Sequence, residues 1–186
     1  MPMDDVLKLK AVVLYILAKC GEIDFFHIFK ILYFADREHY AVYGRRITND
    51  VFVAMKNGPV PSALYDAVKD VTGKERLRDD SPLKVISSAL EQADSVYDYY
   101  IRAKEAPDLG DLSVSDMEML DKSIERNQHR TFDELSGESH DEAWKAAYKR
   151  KQNSRIDPLL MAKAGGASDD TIAFIEEMEA YNGLGY

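Results

Sequence analysis

The chain has 186 residues, which is long enough for one well-buried core but short for two full domains. Its 46% content of hydrophobic residues is typical of a globular protein and argues against wholesale disorder. The formal net charge of −9 disfavours contact with nucleic acid, because surfaces that bind nucleic acid are usually basic.

Cys20 is the single cysteine, so no disulfide can form within the chain, and we expect its thiol to be buried and inert. The first residues lack the positive flank of a secretory signal. The longest apolar run, at residues 11–18, is too short to span a bilayer. We therefore expect a cytoplasmic protein that makes no membrane contact.

The second predicted helix covers residues 25–43, begins after the capping residue Asp24 and ends at Gly44. Apolar side chains occupy most of its circumference, which predicts a central helix packed by several neighbours. Lys30 and Arg37 fall on its more polar side.

Asp36 projects into the apolar stripe of this helix, where an unpaired carboxylate would be costly. One interpretation is an acid with a perturbed pKa at a functional site. The interpretation that we favour is a structural carboxylate, bonded to backbone N–H groups or to Arg45 or Arg46 in the following loop.

Residues 51–55 are β-branched and apolar, which predicts a short strand. The turn at residues 57–58 tolerates positive φ. Pro59 and Pro61 each restrict the residue before them, and Pro61 suits the first turn of a helix over residues 62–71. The stretch is predicted to be a stiff corner between a strand and a helix.

Residues 83–104 predict two further strands, and the period-two pattern over residues 96–104 indicates a strand with two unlike faces. Tyrosine provides large, stiff contact area, so this strand is a candidate recognition surface. The alternative is that these side chains pack against a neighbouring helix. The candidates for partner binding are Tyr97, Tyr99, Tyr100 and Arg102.

Helical signals resume after residue 110. Ser115 with Glu118, and Thr131 with Glu134, predict capping boxes at the starts of two helices. A further helix over residues 141–151 carries Trp144 and Tyr148 one turn apart, where the tryptophan is expected to anchor the helix in the core.

The basic stretch at residues 149–155 is interpreted as a boundary, followed by one short and one longer helix. The longer helix is acidic and has an apolar side. It could lie in a groove of a basic partner, or it could pack back on the rest of the chain. The candidate partner-binding residues here are Ile172, Phe174 and Ile175.

Motifs for catalysis or for cofactors are missing from the sequence: no glycine-rich phosphate loop, H-E-x-x-H or paired C-x-x-C occurs. The four histidines have no spacing typical of zinc ligands. Residues 139–141 read Ser-His-Asp, but adjacent side chains point in different directions, whereas a catalytic triad converges. We expect no enzyme activity, no cofactor and no metal.

Three stretches resemble a known family: KILYFAD at 30–36, FVAMKNGPVPSALYDAV at 52–68 and ESHDEAWKAAY at 138–148. Together they are similar to the Panacea, or SocA-like, antitoxin domain of bacterial and phage toxin–antitoxin pairs. The Gly-Pro-Val corner and the Ser-His element followed by tryptophan are its most specific parts. The resemblance implies a domain at residues 1–150 and a C-terminal helical extension at residues 151–186.

The resemblance also implies an α+β, predominantly α-helical fold, with a helical bundle around a central helix and a small antiparallel sheet. It implies a non-enzymatic antitoxin that binds a cognate protein toxin in the cytoplasm. Most matching positions suit scaffold roles in turns and core, so specificity is expected from residues 72–104 and 156–186. The matching positions are Lys30, Tyr33, Asp36, Gly58, Pro59, Val60, Tyr65, His140 and Trp144.

Three alternatives stay open beside direct masking of a toxin. The chain could be an adaptor that delivers a bound toxin to a protease or a chaperone. It could regulate its own operon by binding DNA, although the acidic charge disfavours phosphate contacts. It could also be a hydrolase that uses Asp36 and His140.

Overall fold

The computed structural model describes residues 1–94 and 99–183, of which residues 182 and 183 are described by their backbone alone. Within these residues the chain is mainly helical, with two small antiparallel sheets, which confirms the predicted α+β class. The helices are α1 Met3–Cys20, α2 Phe25–Tyr43, α3 Ser62–Val71, α4 Lys84–Ser87, α5 Val114–Asn127, α6 Phe132–Ser139, α7 Glu142–Arg150, α8 Pro158–Ala164 and α9 Asp169–Gly183. The strands are β1 Ile23–Asp24, β2 Phe52–Met55, β3 Gly58–Pro61, β4 Leu90–Gln92 and β5 Tyr100–Ala103.

Helix α2 is the central element, as predicted, and it contacts α5, α6, α8, α9 and β3. The Asp24 side chain accepts from His27 N at its start, and Gly44 ends it with φ +64°. Lys30 and Arg37 lie on the more polar side of α2, as the sequence indicates, but that side is not open to solvent. Both are buried, because helices from later in the chain cover that side of α2.

The GPVP stretch is strand β3 and not only a corner, because it pairs antiparallel with β2. The two strands form a hairpin in which Val53 faces Val60 and Met55 faces Gly58. On the other side of β2, residues 153–156 add backbone hydrogen bonds to residues 52 and 54. The predicted boundary segment therefore pairs with the hairpin.

The second sheet has the order β1-β5-β4. Two strands were expected in residues 83–104, but the first part of this stretch forms helix α4, and β4 begins only at Leu90. The described part of the predicted tyrosine-rich strand forms β5 at Tyr100–Ala103, and residues 99 and 104 lie outside β5. Ile101 is buried in the core, and Tyr99, which directly precedes β5, is exposed. Tyr97 lies outside the described residues.

The predicted capping box at Thr131 and Glu134 is confirmed for α6. The box predicted for α5 is wrong by two residues, since Ser113 and Asp116 form it. Ser115 lies inside α5, and its hydroxyl is bonded to His39 of α2 and to Arg45 in the loop that follows α2.

Helices α8 and α9 confirm the predicted short and long helices, and both pack on α2. Ile172 and Ile175 are buried against Tyr40 and Ala162 in a small hydrophobic cluster. α9 therefore uses its apolar side to cover the end of α2.

Candidate functional site

The turn between β2 and β3 is held by side chains from three helices. Lys30 Nζ donates to Pro59 O (2.8 Å), and Trp144 Nε1 donates to Met55 O (2.9 Å). Ser136 Oγ donates a longer bond to Asn57 O (3.5 Å). We call residues 55–59 the clamped turn, because bonds to three of its carbonyl groups fix its position against α2, α6 and α7.

Lys30 is fully buried beneath the clamped turn, with its Nζ 4.7 Å from the centre of the Phe26 ring. Burial lowers the pKa of its amine from the ordinary value of 10.5 to about 7, since a charged amine is poorly solvated there. Gly58 adopts φ +108°, and a β-carbon at this position would lie 2.7 Å from Lys30 Nζ and 2.5 Å from Ser139 Oγ. Glycine is required here by both conformation and space.

Trp144 is the middle ring of a stack on the first turns of α7. The His140 ring lies 3.7 Å from it at an interplanar angle of 8°, and the Tyr148 ring lies 4.6 Å away at 16°. Burial lowers the pKa of His140, which favours the neutral imidazole. The stack holds the indole N–H toward Met55 O.

Asp141 joins α7 to the central helix. Its Oδ1 accepts from Trp144 N as the cap of α7, and its Oδ2 accepts from Tyr33 Oη (2.7 Å) and from Arg37 Nη1 (3.0 Å). Burial, followed by the charge of Asp141, raises the pKa of Tyr33 well above its ordinary value. Tyr33 and Arg37 thus fix the start of the helix that carries Trp144.

Asp36 serves another part of the structure. Its carboxylate accepts from Ile47 N, Thr48 N and Thr48 Oγ1, which confirms the interpretation as a structural carboxylate. Burial raises its pKa to about 6, although these hydrogen bonds and the charge of Arg46 oppose the shift. Asp36 holds the loop that leads from α2 to the hairpin.

The clamped turn projects between two adjoining grooves of about 550 Å³ and 440 Å³, and Asn57 lines both of them. Most of the other lining side chains are aromatic or apolar. We call this surface the aromatic face. Its aromatic and aliphatic members are Phe25, Phe26, Phe29, Met55, Val60, Tyr65, Tyr99, Tyr100 and Phe132.

The charged groups of the aromatic face are mainly basic. Lys56 and Lys74 are exposed at its rim, and Lys74 Nζ lies 5.3 Å from the centre of the Phe25 ring. Asp24 is the one carboxylate among the lining residues of the two grooves, and it is bonded to His27 Nδ1 (2.6 Å). That hydrogen bond raises the pKa of His27. The face is therefore cationic on an acidic chain.

The residues that the sequence predicts to bind a partner do not lie together in the structure. Tyr99 and Tyr100 line the aromatic face, whereas Arg102 forms ion pairs with Glu22, Glu91 and Asp94. On α9, Phe174 is 50% exposed while its neighbours Ile172 and Ile175 are buried.

Sequence reasoning did not single out Phe25, Phe26, Phe132 or the lysines of the rim. A signal was present, because Phe25 and Phe132 each follow a capping residue directly. A large apolar side chain at the first position of a helix projects beside the preceding loop. Only the fold brings the two helix starts together, where Phe26 stacks on Phe132 at 4.3 Å.

In the part of the chain that the structure describes, no three His, Cys, Asp or Glu side chains are grouped to hold a metal ion. No helix in that part is long and apolar enough to cross a membrane.

Residues 28–145 match the family model described as "Antitoxin SocA-like, Panacea domain". The match covers more than half of the chain and includes every position that resembles the family motif. No curated protein and no solved structure matches the chain. The chain belongs to the SocA-like antitoxin family with a Panacea domain.

Proposed function

We propose that this chain is an antitoxin that neutralises a cognate protein toxin by direct binding. The observation that carries the proposal is the family match over residues 28–145, within which the motif residues build and fix an exposed turn. A surface that is fixed before binding loses little conformational entropy when a partner docks.

We further propose that the chain forms and breaks no covalent bonds itself. Two of the buried polar groups that could suggest catalysis have structural partners: Lys30 is bonded to Pro59 O, and Asp36 is bonded to the backbone of Ile47 and Thr48. These contacts account for the residues without a substrate. Binding then takes place in the cytoplasm, and masking of the toxin suffices for neutralisation.

The proposal is tested with the protein encoded by the reading frame beside this gene. That protein is expected to stop the growth of a bacterial host, and co-expression of this chain is expected to restore it. The two purified proteins should form a stable complex in a titration, and the toxin half-life in cells should not shorten.

Restored growth without a complex between the purified proteins would refute neutralisation by direct binding. A complex accompanied by rapid loss of the toxin would replace masking with delivery to a protease. A toxin that loses activity without forming a stable complex would point to chemistry by this chain.

A further inference from the structure

The aromatic face exposes large apolar side chains that the fold leaves accessible to solvent. Phe132 is 46% exposed and Tyr99 is 42% exposed, and both line the larger groove. Aromatic side chains in a groove beside a rigid element are the kind of residue that carries most of the energy in protein interfaces. The surface is therefore suited to accept a large apolar side chain from a partner.

The charge of this surface differs in sign from that of the chain. Lys56 lies in the clamped turn and lines the smaller groove, Lys74 lines the larger groove, and the carboxylate of Asp24 is already engaged by His27. The chain as a whole has a formal charge of −9. A partner segment with carboxylates beside its apolar side chain would complement the lysines.

The outer edge of β3 is closed to pairing with another strand. Pro59 and Pro61 are two residues apart and lack N–H groups, while Val60 between them faces Val53 of β2. Pro59 O already accepts from Lys30. A partner is consequently recognised through side chains in the grooves and not through an added strand.

We infer that the aromatic face is the toxin-docking surface, and that it takes a toxin segment in which a large apolar side chain is flanked by carboxylates. This inference rests on the proposed function and names the surface and the chemistry of the partner. The motif residues beneath it, Lys30 and Trp144 above all, position the surface and do not contact the toxin.

The first experiment measures the affinity of purified variants for the growth-inhibiting protein encoded beside this gene. Phe132→Ala should weaken binding by about tenfold or more, because a central aromatic contact is lost. Val114→Ala is the matched control, since Val114 is also the exposed first residue of a helix behind a capping box. It should bind like the wild type.

The second experiment reverses the charges. The double variant Lys56→Glu with Lys74→Glu should weaken binding by about tenfold or more, most strongly at low salt. The control Lys122→Glu with Lys163→Glu makes the same change in net charge at exposed positions that line neither groove. Replacing acidic residues of the toxin by lysine should restore binding to the Lys56/Lys74 variant.

Equal affinity of the wild type, Phe132→Ala and the charge-reversed variant, all with unchanged thermal midpoints, would overturn the inference and leave the proposed function intact. A wild-type chain that neither binds nor rescues would refute the proposed function, and the inference with it. A dimer of this chain that Phe132→Ala dissociates would assign the face to a second copy and would also overturn the inference.

Discussion

Lys30 connects the central helix to the clamped turn, and its chemistry follows from where it lies. A lysine side chain is long enough to cross from α2 to Pro59 O, and its Nζ donates there at 2.8 Å. The bond keeps a buried carbonyl satisfied, but burial disfavours the charged amine and brings its pKa to about 7. Lys30 thus fixes the position of the turn, while the burial of its charged form lowers the free energy of unfolding.

The lowered pKa of Lys30 predicts that the free energy of unfolding depends on pH. Between the folded-state pKa of about 7 and the ordinary value of 10.5, the unfolded chain binds more protons at Lys30, so the free energy of unfolding rises with pH. The substitution Lys30→Met removes the titrating amine and with it this contribution to the free energy of unfolding. From pH 7 to pH 9 the wild type should gain on the order of 2 kcal/mol relative to Lys30→Met in urea titrations. Parallel pH profiles for the two proteins would show that the amine has an ordinary pKa.

Substitution of Gly58 tests how tightly the clamped turn is packed. Gly58→Ala forces a side chain into φ +108° and into the space of Lys30 Nζ and Ser139 Oγ. We expect a loss of about 3 kcal/mol or more in the free energy of unfolding. Gly73→Ala is the control, because Gly73 also has positive φ but has no atom within 4 Å of the added carbon. It should cost only about 1–2 kcal/mol. Similar losses for both variants would mean that packing around Gly58 is loose.

At the scale of elements, the hairpin is positioned by helices that lie far from it in sequence. Trp144 comes from α7 and Lys30 from α2, and each bonds one side of the clamped turn. The ring stack of His140, Trp144 and Tyr148 orients the indole N–H. Two of the three stretches that carry the family motif therefore each donate a bond to the turn in the third stretch.

Trp144→Phe tests this arrangement, because it keeps an aromatic ring in the stack and removes the donor to Met55 O. The expected loss is about 1 kcal/mol in the free energy of unfolding, with faster hydrogen exchange at residues 55–58. Tyr148→Phe, which also keeps the stack, should change neither. Unchanged exchange in Trp144→Phe would show that the indole bond does not hold the turn.

Elements with local signals were predictable from the sequence. Asp24 and Gly44 delimit α2 as predicted, because capping depends only on neighbouring backbone groups. α4 could not be predicted, since four residues are too few to show a periodic pattern. The burial of Lys30 also escaped prediction, because it depends on α6 and strand β3 packing against α2.

In the molecule as a whole, the aromatic face and α9 lie on different parts of the fold. α9 buries Ile172 and Ile175 against Tyr40 and Ala162, and leaves Phe174 half exposed. The aromatic face is built from side chains of α2, α3, α6, β5 and the β2–β3 hairpin. The stability contributed by α9 can therefore be separated from toxin binding.

Ile175→Ala should reduce the free energy of unfolding by about 2–4 kcal/mol, because a fully buried side chain is truncated. Phe174→Ala is the neighbouring control on the exposed side and should cost less. Both variants should bind the toxin like the wild type when affinity is measured well below their thermal midpoints. Loss of binding in Phe174→Ala with unchanged stability would place the toxin contact on α9.

We propose that the chain neutralises its toxin by presenting the clamped turn and the grooves beside it. Hydrogen exchange of the chain, measured with and without the bound toxin, is the sharpest test of this proposal. We expect added protection at residues 55–60 and 132–135 on complex formation. Protection confined to residues 169–183, or no change anywhere in a complex that restores growth, would contradict it.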